Sequence, residues 1–214
     1  HDYTATRLHC DTMSTLPEGH AVTIAALASS PAEGIESLTL APQPAPTPGA
    51  GEVLIRVRAA AVGWVDLLMT SGQYQHVPEP PYTPGLEYAG EIAAVGEGVD
   101  GSLLGTEVIA DGLLTGPRSL GAHRKWGGFA TYAIAPASAV IPKPTPLSLE
   151  QAACLLGGYE TAYHALVHRA RVREGERVLV LGATGSTGLA AVQIAKLLGA
   201  KVIASAIRRA GLVP

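Results

Sequence analysis

The sequence is poor in cysteine, in charged side chains and in long apolar runs. Cys10 and Cys154 are the only cysteines, and no CxxC pair accompanies them, which argues against a disulfide framework or a zinc finger. Charged residues make up 15% of the chain, no segment is rich in lysine or arginine, and the formal net charge is −3, so we expect no nucleic-acid partner. No apolar run reaches the roughly 18 residues of a membrane span.

These scarcities favour a globular protein of a reducing compartment, and we expect a cytoplasmic location. The chain begins with His1 and its first methionine is Met13, so we interpret residues 1–19 as a leader or tail and set them apart from the fold. If these residues remain from a targeting leader, the compartment is instead an organelle, either a mitochondrion or a plastid.

Residues 20–146 have the pattern of short β-strands. In "GEVLIRVRAAAVG", Val53, Ile55 and Val57 alternate with Leu54 and two arginines, which predicts a strand with one buried face. The proline-rich segments "APQPAPTPG" and "VPEPPYTPG" separate the apolar runs, and neither can continue a ladder or a helix. This part of the chain is therefore predicted to be a β-rich domain.

Residues 147–214 change to helix and buried strand. Ser148 is placed to cap the first helix, which begins after Pro146. The segments "ERVLVLG", "STGLAAVQIAKLLGA" and "KVIASA" then indicate a strand buried on both faces, a helix and a second buried strand. This order predicts the first βαβ unit of a dinucleotide-binding fold.

Three glycines, Gly182, Gly185 and Gly188, fall between the first of these strands and its helix. Such a turn leaves bare main-chain amides at the helix N-terminus, and together with Ser186 and Thr187 it predicts a cradle for a pyrophosphate. The alternative is a glycine-rich turn that only packs the strand against the helix.

Ser205, Arg208 and Arg209 follow the second strand, where a dinucleotide fold selects its cofactor. The segment offers no carboxylate for the 2′-hydroxyl of NAD, whereas two guanidinium groups suit a 2′-phosphate, so these residues predict NADP(H). The alternative is that the two arginines belong to a solvated face.

Further motifs occur in order along the chain: "AAAVGWVDLLMTSGQYQ", "PPYTPGLEYAGEIAAVGEGV", "WGGFATYAIAP", "AACLLGGYETAYHAL" and "GERVLVLGATGSTGLAAVQIAKLLGAKVIA". With them the sequence, from about Val53 to Ser205, resembles the medium-chain dehydrogenase/reductase superfamily and, within it, the zinc-free quinone oxidoreductase and enoyl reductase branch, which includes zeta-crystallin. The resemblance implies a GroES-like β-barrel domain followed by a Rossmann domain. It also implies hydride transfer from NADPH to a small-molecule quinone or enone in the cleft between them.

Gly63 and Leu86 stand where alcohol dehydrogenases of this superfamily carry the cysteine and histidine that bind catalytic zinc. The resemblance therefore implies that the chain has no metal site and that its reaction is independent of zinc. Gly63 also replaces an asparagine of related quinone reductases, and we expect the neighbouring Trp64 to fill part of the substrate pocket.

Tyr74 matches the position of a tyrosine that is a proposed proton donor in enoyl reductases, so it is the candidate catalytic residue and, with Trp64, a candidate substrate contact. The alternative is a loop tyrosine packed on the cleft wall. Thr161 matches a position near the nicotinamide, where its hydroxyl would bond the carboxamide; the alternative is a bond back to its own helix. Asp66 and Glu87 match recurrent acidic positions that more often orient loops than take part in chemistry.

A complete member of the superfamily needs roughly a hundred further residues beyond Pro214. A single βαβ unit leaves a sheet edge and an apolar surface uncovered, so we expect a C-terminal remainder, a second copy of the chain or another subunit to cover them. Two hypotheses follow. The chain is part of an NADPH-dependent quinone or enone reductase, or it is a non-catalytic relative that serves as an accessory or scaffolding subunit of a larger assembly.

Overall fold

A computed structural model describes residues 16–206, which divide into two compact units between Cys154 and Leu155. The first unit is built mainly of strands with short helices between them. Its elements are β1 (Gly19–Thr23), α1 (Pro31–Glu36), β2 (Thr39–Gln43), β3 (Glu52–Ala61), α2 (Trp64–Met69), β4 (Glu87–Val95), β5 (Glu107–Ala110), β6 (Tyr132–Pro136), β7 (Val140–Pro142) and α3 (Leu149–Ala153), with 3₁₀ turns at Gly101–Leu103, Ala122–Lys125 and Ala137–Ala139.

The second unit combines helices with a pair of strands. Its elements are α4 (Leu156–Tyr163), a π-helical turn (His164–Arg169), β8 (Arg177–Leu181), α5 (Ser186–Leu197) and β9 (Lys201–Ser205). β8 and β9 run parallel, and α5 connects them. α4 packs on α5 through Ala162, Ala190 and Ile194. The βαβ unit predicted from the sequence is therefore confirmed.

The main sheet of the first unit has the strand order β6-β3-β4-β5-β7, and every neighbouring pair is antiparallel. β1 and β2 form a separate ribbon, which is tied to the segment before β6 by a bond from the Val22 amide to the Phe129 carbonyl. Because neighbouring strands are antiparallel, β3 and β5 end, and β4 and β6 begin, at the same end of the sheet. The loops of residues 62–86 and 111–131 therefore both lie at that end of the sheet.

The core of the first unit lies on both faces of β3. Val53 and Ile55 are fully buried and pack with Tyr88 of β4. Leu54 is equally buried, in a second cluster on the other side of the strand. The prediction that β3 buries only one face is therefore wrong for its first half.

The cover over Leu54 comes partly from the end of the predicted leader or tail, residues 1–19. Leu16 packs against the same cluster, and the Tyr132 hydroxyl donates a hydrogen bond to the Pro17 carbonyl at 2.9 Å. Gly19 already belongs to β1. Segments outside the main sheet thus bury the second face of β3, which strand periodicity alone does not reveal.

The two units divide after Cys154, and α3 belongs to the first unit, in which it packs against β3 and β4. Ser148 caps this helix as expected: its hydroxyl accepts a bond from the Gln151 amide, and the Gln151 side chain accepts one from the Ser148 amide. Reciprocal bonding of this kind satisfies two donors that the helix itself leaves without acceptors.

The sheet of the second unit presents apolar side chains to solvent. Leu179, Leu181 and Ile203 are each more than half exposed. Beside them Leu166, Ala170, Val172 and Val178 line an open hollow, together with Leu179, Glu176 and Arg177. Strands of a parallel sheet are ordinarily buried on both faces, so this surface has the character of one that another element covers.

No helix within residues 16–206 combines the length and the apolarity needed to cross a bilayer.

The contrast between Leu54 and Leu40 gives a test of the core. Leu54→Ala is expected to lower the free energy of unfolding by about 2–5 kcal/mol, because it removes a fully buried side chain. Leu40→Ala, on a side chain that is 69% exposed, is the matched control and should change it by less than about 0.5 kcal/mol. Urea unfolding followed by tryptophan fluorescence measures both. Equal losses would contradict the assigned core.

Candidate functional site

The turn between β8 and α5 depends on glycine for two different reasons. Gly182 has φ of +68°, a left-handed conformation that side chains rarely adopt. Gly188 is needed for packing, since a Cβ atom there would lie 2.2 Å from the Gly182 carbonyl oxygen. Together they allow the first turn of α5 to lie directly against the end of β8.

This turn presents main-chain donors to solvent. Gly185 is the N-cap of α5 and has no side chain to cap it, while the amides of Ser186, Thr187 and Gly188 have no acceptor within the helix. Gly185, Ser186 and Thr187 are exposed, and an added Cβ at Gly182 would meet no atom within 4 Å. The site is therefore open, and its amide donors fit a diphosphate.

Ser205 lies at the same edge of the sheet as the glycine turn. It pairs with Leu181, and its carbonyl accepts a bond from the Ala183 amide at 3.0 Å. Arg208 and Arg209, the predicted partners of a 2′-phosphate, lie outside the described residues.

α4 approaches the glycine turn through Gly158, a residue that the sequence analysis did not single out. A Cβ atom at Gly158 would lie 2.6 Å from the Ser186 hydroxyl oxygen and 3.3 Å from the Ser186 main chain, so the absence of a side chain at Gly158 lets the two segments approach closely. The sequence could have indicated this close approach through the Gly157-Gly158 pair inside a helical pattern. Glycine lowers the stability of a helix, so its presence there suggests that packing requires it. On the same helix, Thr161 donates a bond to the Gly157 carbonyl at 2.7 Å. Its hydroxyl is exposed and can still accept a bond.

In the first unit, Asp66 connects the loop after β3 to the loop before β4. Its carboxylate accepts bonds from the Gly63 amide at 2.8 Å and from the Leu86 amide at 3.1 Å. The side chain is buried, and burial raises the pKa of this carboxyl above its ordinary value. These contacts support the interpretation of Asp66 as a residue that orients loops.

The two candidate substrate residues lie on either side of α2. Trp64 begins the helix and is 80% exposed. Tyr74 follows the helix, is half-buried, and its ring meets the His76 ring edge-on at a centroid distance of 6.4 Å. Both residues lie in the connection between β3 and β4, at the end of the sheet where the loops of residues 62–86 and 111–131 are found.

The loop between β5 and β6 adds two arginines that the sequence analysis missed. Arg124 donates a bond to the Val77 carbonyl at 2.7 Å and so holds the segment that carries Tyr74. Arg118 approaches Gly112 of the same loop, since a Cβ atom added to Gly112 would lie 3.2 Å from the Arg118 Nη2 atom.

Both arginines have a buried Nε atom without a hydrogen-bond partner within the described residues. The sequence could have drawn attention to these arginines, because the stretch between Asp111 and Glu150 contains arginine and lysine but no acidic residue. At the outer side of the loop, His123 lies 2.8 Å from a carboxylate oxygen of Glu52.

Comparison with known proteins shows what this arrangement resembles. A family model for the alcohol dehydrogenase GroES-like domain matches residues 49–145. Human quinone oxidoreductase is 40% identical over 161 residues, which are 75% of this chain and 46% of the human protein. The chain belongs to the medium-chain dehydrogenase/reductase superfamily.

Solved structures agree with this placement in the superfamily. Quinone oxidoreductase from Thermus thermophilus, described with its NADPH complex, is 33% identical with a TM-score of 0.69, and the match covers 88% of this chain and 54% of that one. The CurK enoyl reductase is 31% identical with a TM-score of 0.72, over 88% and 54% of the two chains. The predicted GroES-like domain followed by part of a Rossmann fold is confirmed. The chain spans about half the length of the curated relatives it matches.

Gly63 has no side chain and Leu86 has an apolar one, so neither residue can supply a metal ligand from its side chain. Within residues 16–206 no group of three or more histidine, cysteine, aspartate or glutamate side chains is arranged to hold a metal ion.

Substitution of the turn glycines tests the packing of α5. Gly188→Ala is expected to destabilise the second unit by about 1–3 kcal/mol, because its Cβ atom would overlap the Gly182 carbonyl. Gly185→Ala is the control: its φ of −77° suits alanine and its nearest contact is at 3.5 Å, so we expect a loss below about 1 kcal/mol. Hydrogen exchange of the α5 amides compares them, and equal protection in both variants would contradict the proposed packing.

The raised pKa of Asp66 makes stability depend on pH. The folded state binds this proton more tightly than the unfolded state, so the contribution is complete below the ordinary value of 3.8 and is lost as pH rises through the raised pKa. We expect the free energy of unfolding of the wild type, relative to Asp66→Asn, to fall as the pH rises from the ordinary value of 3.8 through the raised pKa.

Glu52→Gln serves as the control with the opposite sign. The Gly49 amide bond lowers the pKa of Glu52, so wild-type stability relative to this variant should rise with pH in the acid range. Urea unfolding at several pH values measures both differences. A wild-type advantage over Asp66→Asn that is constant with pH would contradict the effect of burial.

Proposed function

We propose that the polypeptide containing this chain is an NADP(H)-dependent oxidoreductase that reduces a quinone or an enone without a metal ion. The observation that carries the proposal is the open turn from Gly182 to Gly188, whose bare amides face solvent at the N-terminus of α5. The 40% identity to human quinone oxidoreductase supports the choice of reaction.

The cofactor diphosphate would lie on the first-turn amides of α5, which belong to Ser186, Thr187 and Gly188. Arg208 and Arg209 would pair with the 2′-phosphate that distinguishes NADP(H) from NAD(H). Thr161 already donates its hydroxyl proton to the Gly157 carbonyl, so toward a carboxamide it would accept a bond from the NH₂ group. When bound, the reduced cofactor supplies the hydride.

On the substrate side, the exposed indole of Trp64 offers an apolar face on which a flat quinone ring can stack. Tyr74 would donate a proton to the reduced acceptor. Arg124 would support this role because its bond to Val77 fixes the backbone three residues beyond Tyr74.

A second function is favoured by a different observation. The exposed leucines of β8 and the exposed Ile203 of β9 form an apolar surface suited to an interface. A non-catalytic subunit would use that surface to bind a partner. A reductase would cover it with the remainder of its own polypeptide or with a second copy in a homo-oligomer.

The test is oxidation of NADPH in the presence of a naphthoquinone or a trans-2-enone, with the longest natural polypeptide that carries these residues. Tyr74→Phe is expected to lower turnover of the enone by about 10²-fold, since it removes a positioned proton donor. Tyr163→Phe, a half-exposed tyrosine of α4, is the matched control and should retain the wild-type rate.

Turnover with NADPH and either acceptor would support the reductase. An unchanged rate in Tyr74→Phe would remove Tyr74 from the reaction. Failure both to bind NADPH and to reduce either acceptor would overturn the proposed function and favour the accessory subunit.

A further inference from the structure

Two histidines lie four residues apart on the π-helical turn that follows α4. His164 begins the turn, His168 lies near its end, and both residues are exposed. Side chains at this spacing are neighbours on one face of a helix. The centroids of the two imidazole rings are 5.8 Å apart, and the ring planes are tilted by 42°. The rings therefore lie side by side at the surface of the second unit.

The distance between the rings is close to the distance that one shared metal ion requires. A bond from a metal ion to an imidazole nitrogen is about 2.0–2.1 Å long, so two rings bound to one ion have centroids about 5 Å apart. The observed separation is larger by less than about 1 Å, and small rotations of exposed side chains remove such a difference. The pair has the spacing of a chelate, in which two nitrogens bind the same ion.

A third ring contacts His168. The Tyr163 ring meets it edge-on, with a centroid distance of 5.4 Å and an interplanar angle of 71°. His168 is thus in contact with the rings of both Tyr163 and His164, which limits the freedom of its side chain. A ligand that is already held near its binding position loses less entropy when the ion binds.

The backbone of the turn holds the two histidines at a fixed spacing. The Ala170 amide donates to the Ala165 carbonyl, five residues earlier, at 2.8 Å. The Val172 amide donates to the Leu166 carbonyl at 3.0 Å, and the Leu166 side chain packs against the cluster between α4 and α5. The turn is therefore anchored on one side while its histidines remain exposed. Wide turns of this kind are rare and frequently occur at functional sites.

The ligand type indicates which metal ions the pair would bind. Imidazole suits copper, nickel and zinc, and among the divalent ions Cu²⁺ binds a given nitrogen site most tightly. Mg²⁺ and Ca²⁺ prefer oxygen ligands. Charges of both signs lie nearby in the chain, since Glu160 precedes His164 by four residues and Arg169 and Arg171 follow His168. Uncharged nitrogen ligands of this kind do not add to that charge.

We propose that His164 and His168 form a two-histidine site for a divalent transition-metal ion, which binds Cu²⁺ more tightly than Ni²⁺ or Zn²⁺. Water fills the remaining coordination positions of the ion. The bound ion joins the beginning of the π-helical turn to its end and so opposes unwinding of the turn. The inference is independent of the proposed reductase function, in whose reaction no metal ion takes part.

Calorimetric titration with Cu²⁺ tests the site, at about pH 7.5 because a histidine ligand must be neutral. The protein is the longest natural polypeptide that carries these residues, and glycine in the buffer keeps the ion in solution. The double variant of His164→Asn and His168→Asn is expected to bind one Cu²⁺ fewer per chain than the wild type. This difference removes any ions that bind elsewhere on the chain.

Each single variant should raise the dissociation constant of that ion about tenfold or more, because one of two bonds to the metal is lost. His20→Asn is the matched control. His20 is an exposed histidine of β1 without a second histidine four residues away, so its replacement should leave the affinity within about twofold. The replaced side chains are exposed, so all variants are expected to fold, and circular dichroism checks this.

Two further measurements report on the geometry of the site. Electron paramagnetic resonance with one equivalent of Cu²⁺ should show coupling to two imidazole nitrogens in the wild type and to one in each single variant. Zn²⁺ should slow hydrogen exchange of the amides of residues 165–170 in the wild type but not in the double variant, because the ion opposes unwinding of the turn.

Equal Cu²⁺ binding by the wild type and by the folded double variant would overturn the proposal. Loss of two ions in the double variant would also overturn it, because the histidines would then bind separately and not as a chelate. Equal weakening in His20→Asn and in the single variants would show that exposed histidines bind the ion without regard to their spacing, and would count against the site in the same way.

Discussion

The bonds from Asp66 to the amides of Gly63 and Leu86 are the constraint on which the substrate end of the first unit depends. The antiparallel register that pairs Ala61 with Glu87 brings the end of β3 to the beginning of β4, but it does not fix the loop between them. Asp66 does so from the first turn of α2, by accepting one bond from each side. Burial of the carboxyl is unfavourable for its charged form, and the main-chain donors offset that cost. Trp64, which directly follows Gly63, is positioned beside this junction.

The glycine turn of the second unit would recognise negative charge through its main chain. The glycine turn before α5 offers neutral main-chain amides and the positive end of a helix, which suit a diphosphate that is charged throughout the reaction.

The features that the sequence predicted well are those in which local chemistry permits few alternatives. Gly182 needs a left-handed backbone and Gly188 a missing side chain, so their spacing between a strand and a helix indicated the turn directly. Ser148 formed its capping box because the Gln151 partner stands three residues later. The parallel strands of the βαβ unit were likewise visible as continuous apolar runs.

The features that the sequence did not predict depend on contacts between distant segments. Leu54 looked like one member of a half-exposed strand, and only the approach of residues far from it in the chain buries it. Arg118 carried no motif, because its place follows from the path of a loop between β5 and β6. Periodicity describes how a segment faces its own sheet, and it contains no information about which other loop will cover that face.

The exposed face of β8 and β9 bears on how the glycine turn can work. A small unit with a two-stranded parallel sheet buries apolar surface mainly through the packing of α4 on α5, and Leu179, Leu181 and Ile203 contribute little while they stay exposed. The amides of the turn can bind an anion tightly only if the strand that precedes them is rigid. Any element that covers these side chains would therefore strengthen cofactor binding without touching the cofactor, because it lowers the freedom of β8 in the unbound state. The proposed interface and the proposed cofactor site would for that reason depend on the same structural unit. The reductase and accessory hypotheses differ in what covers the sheet more than in how the sheet is built.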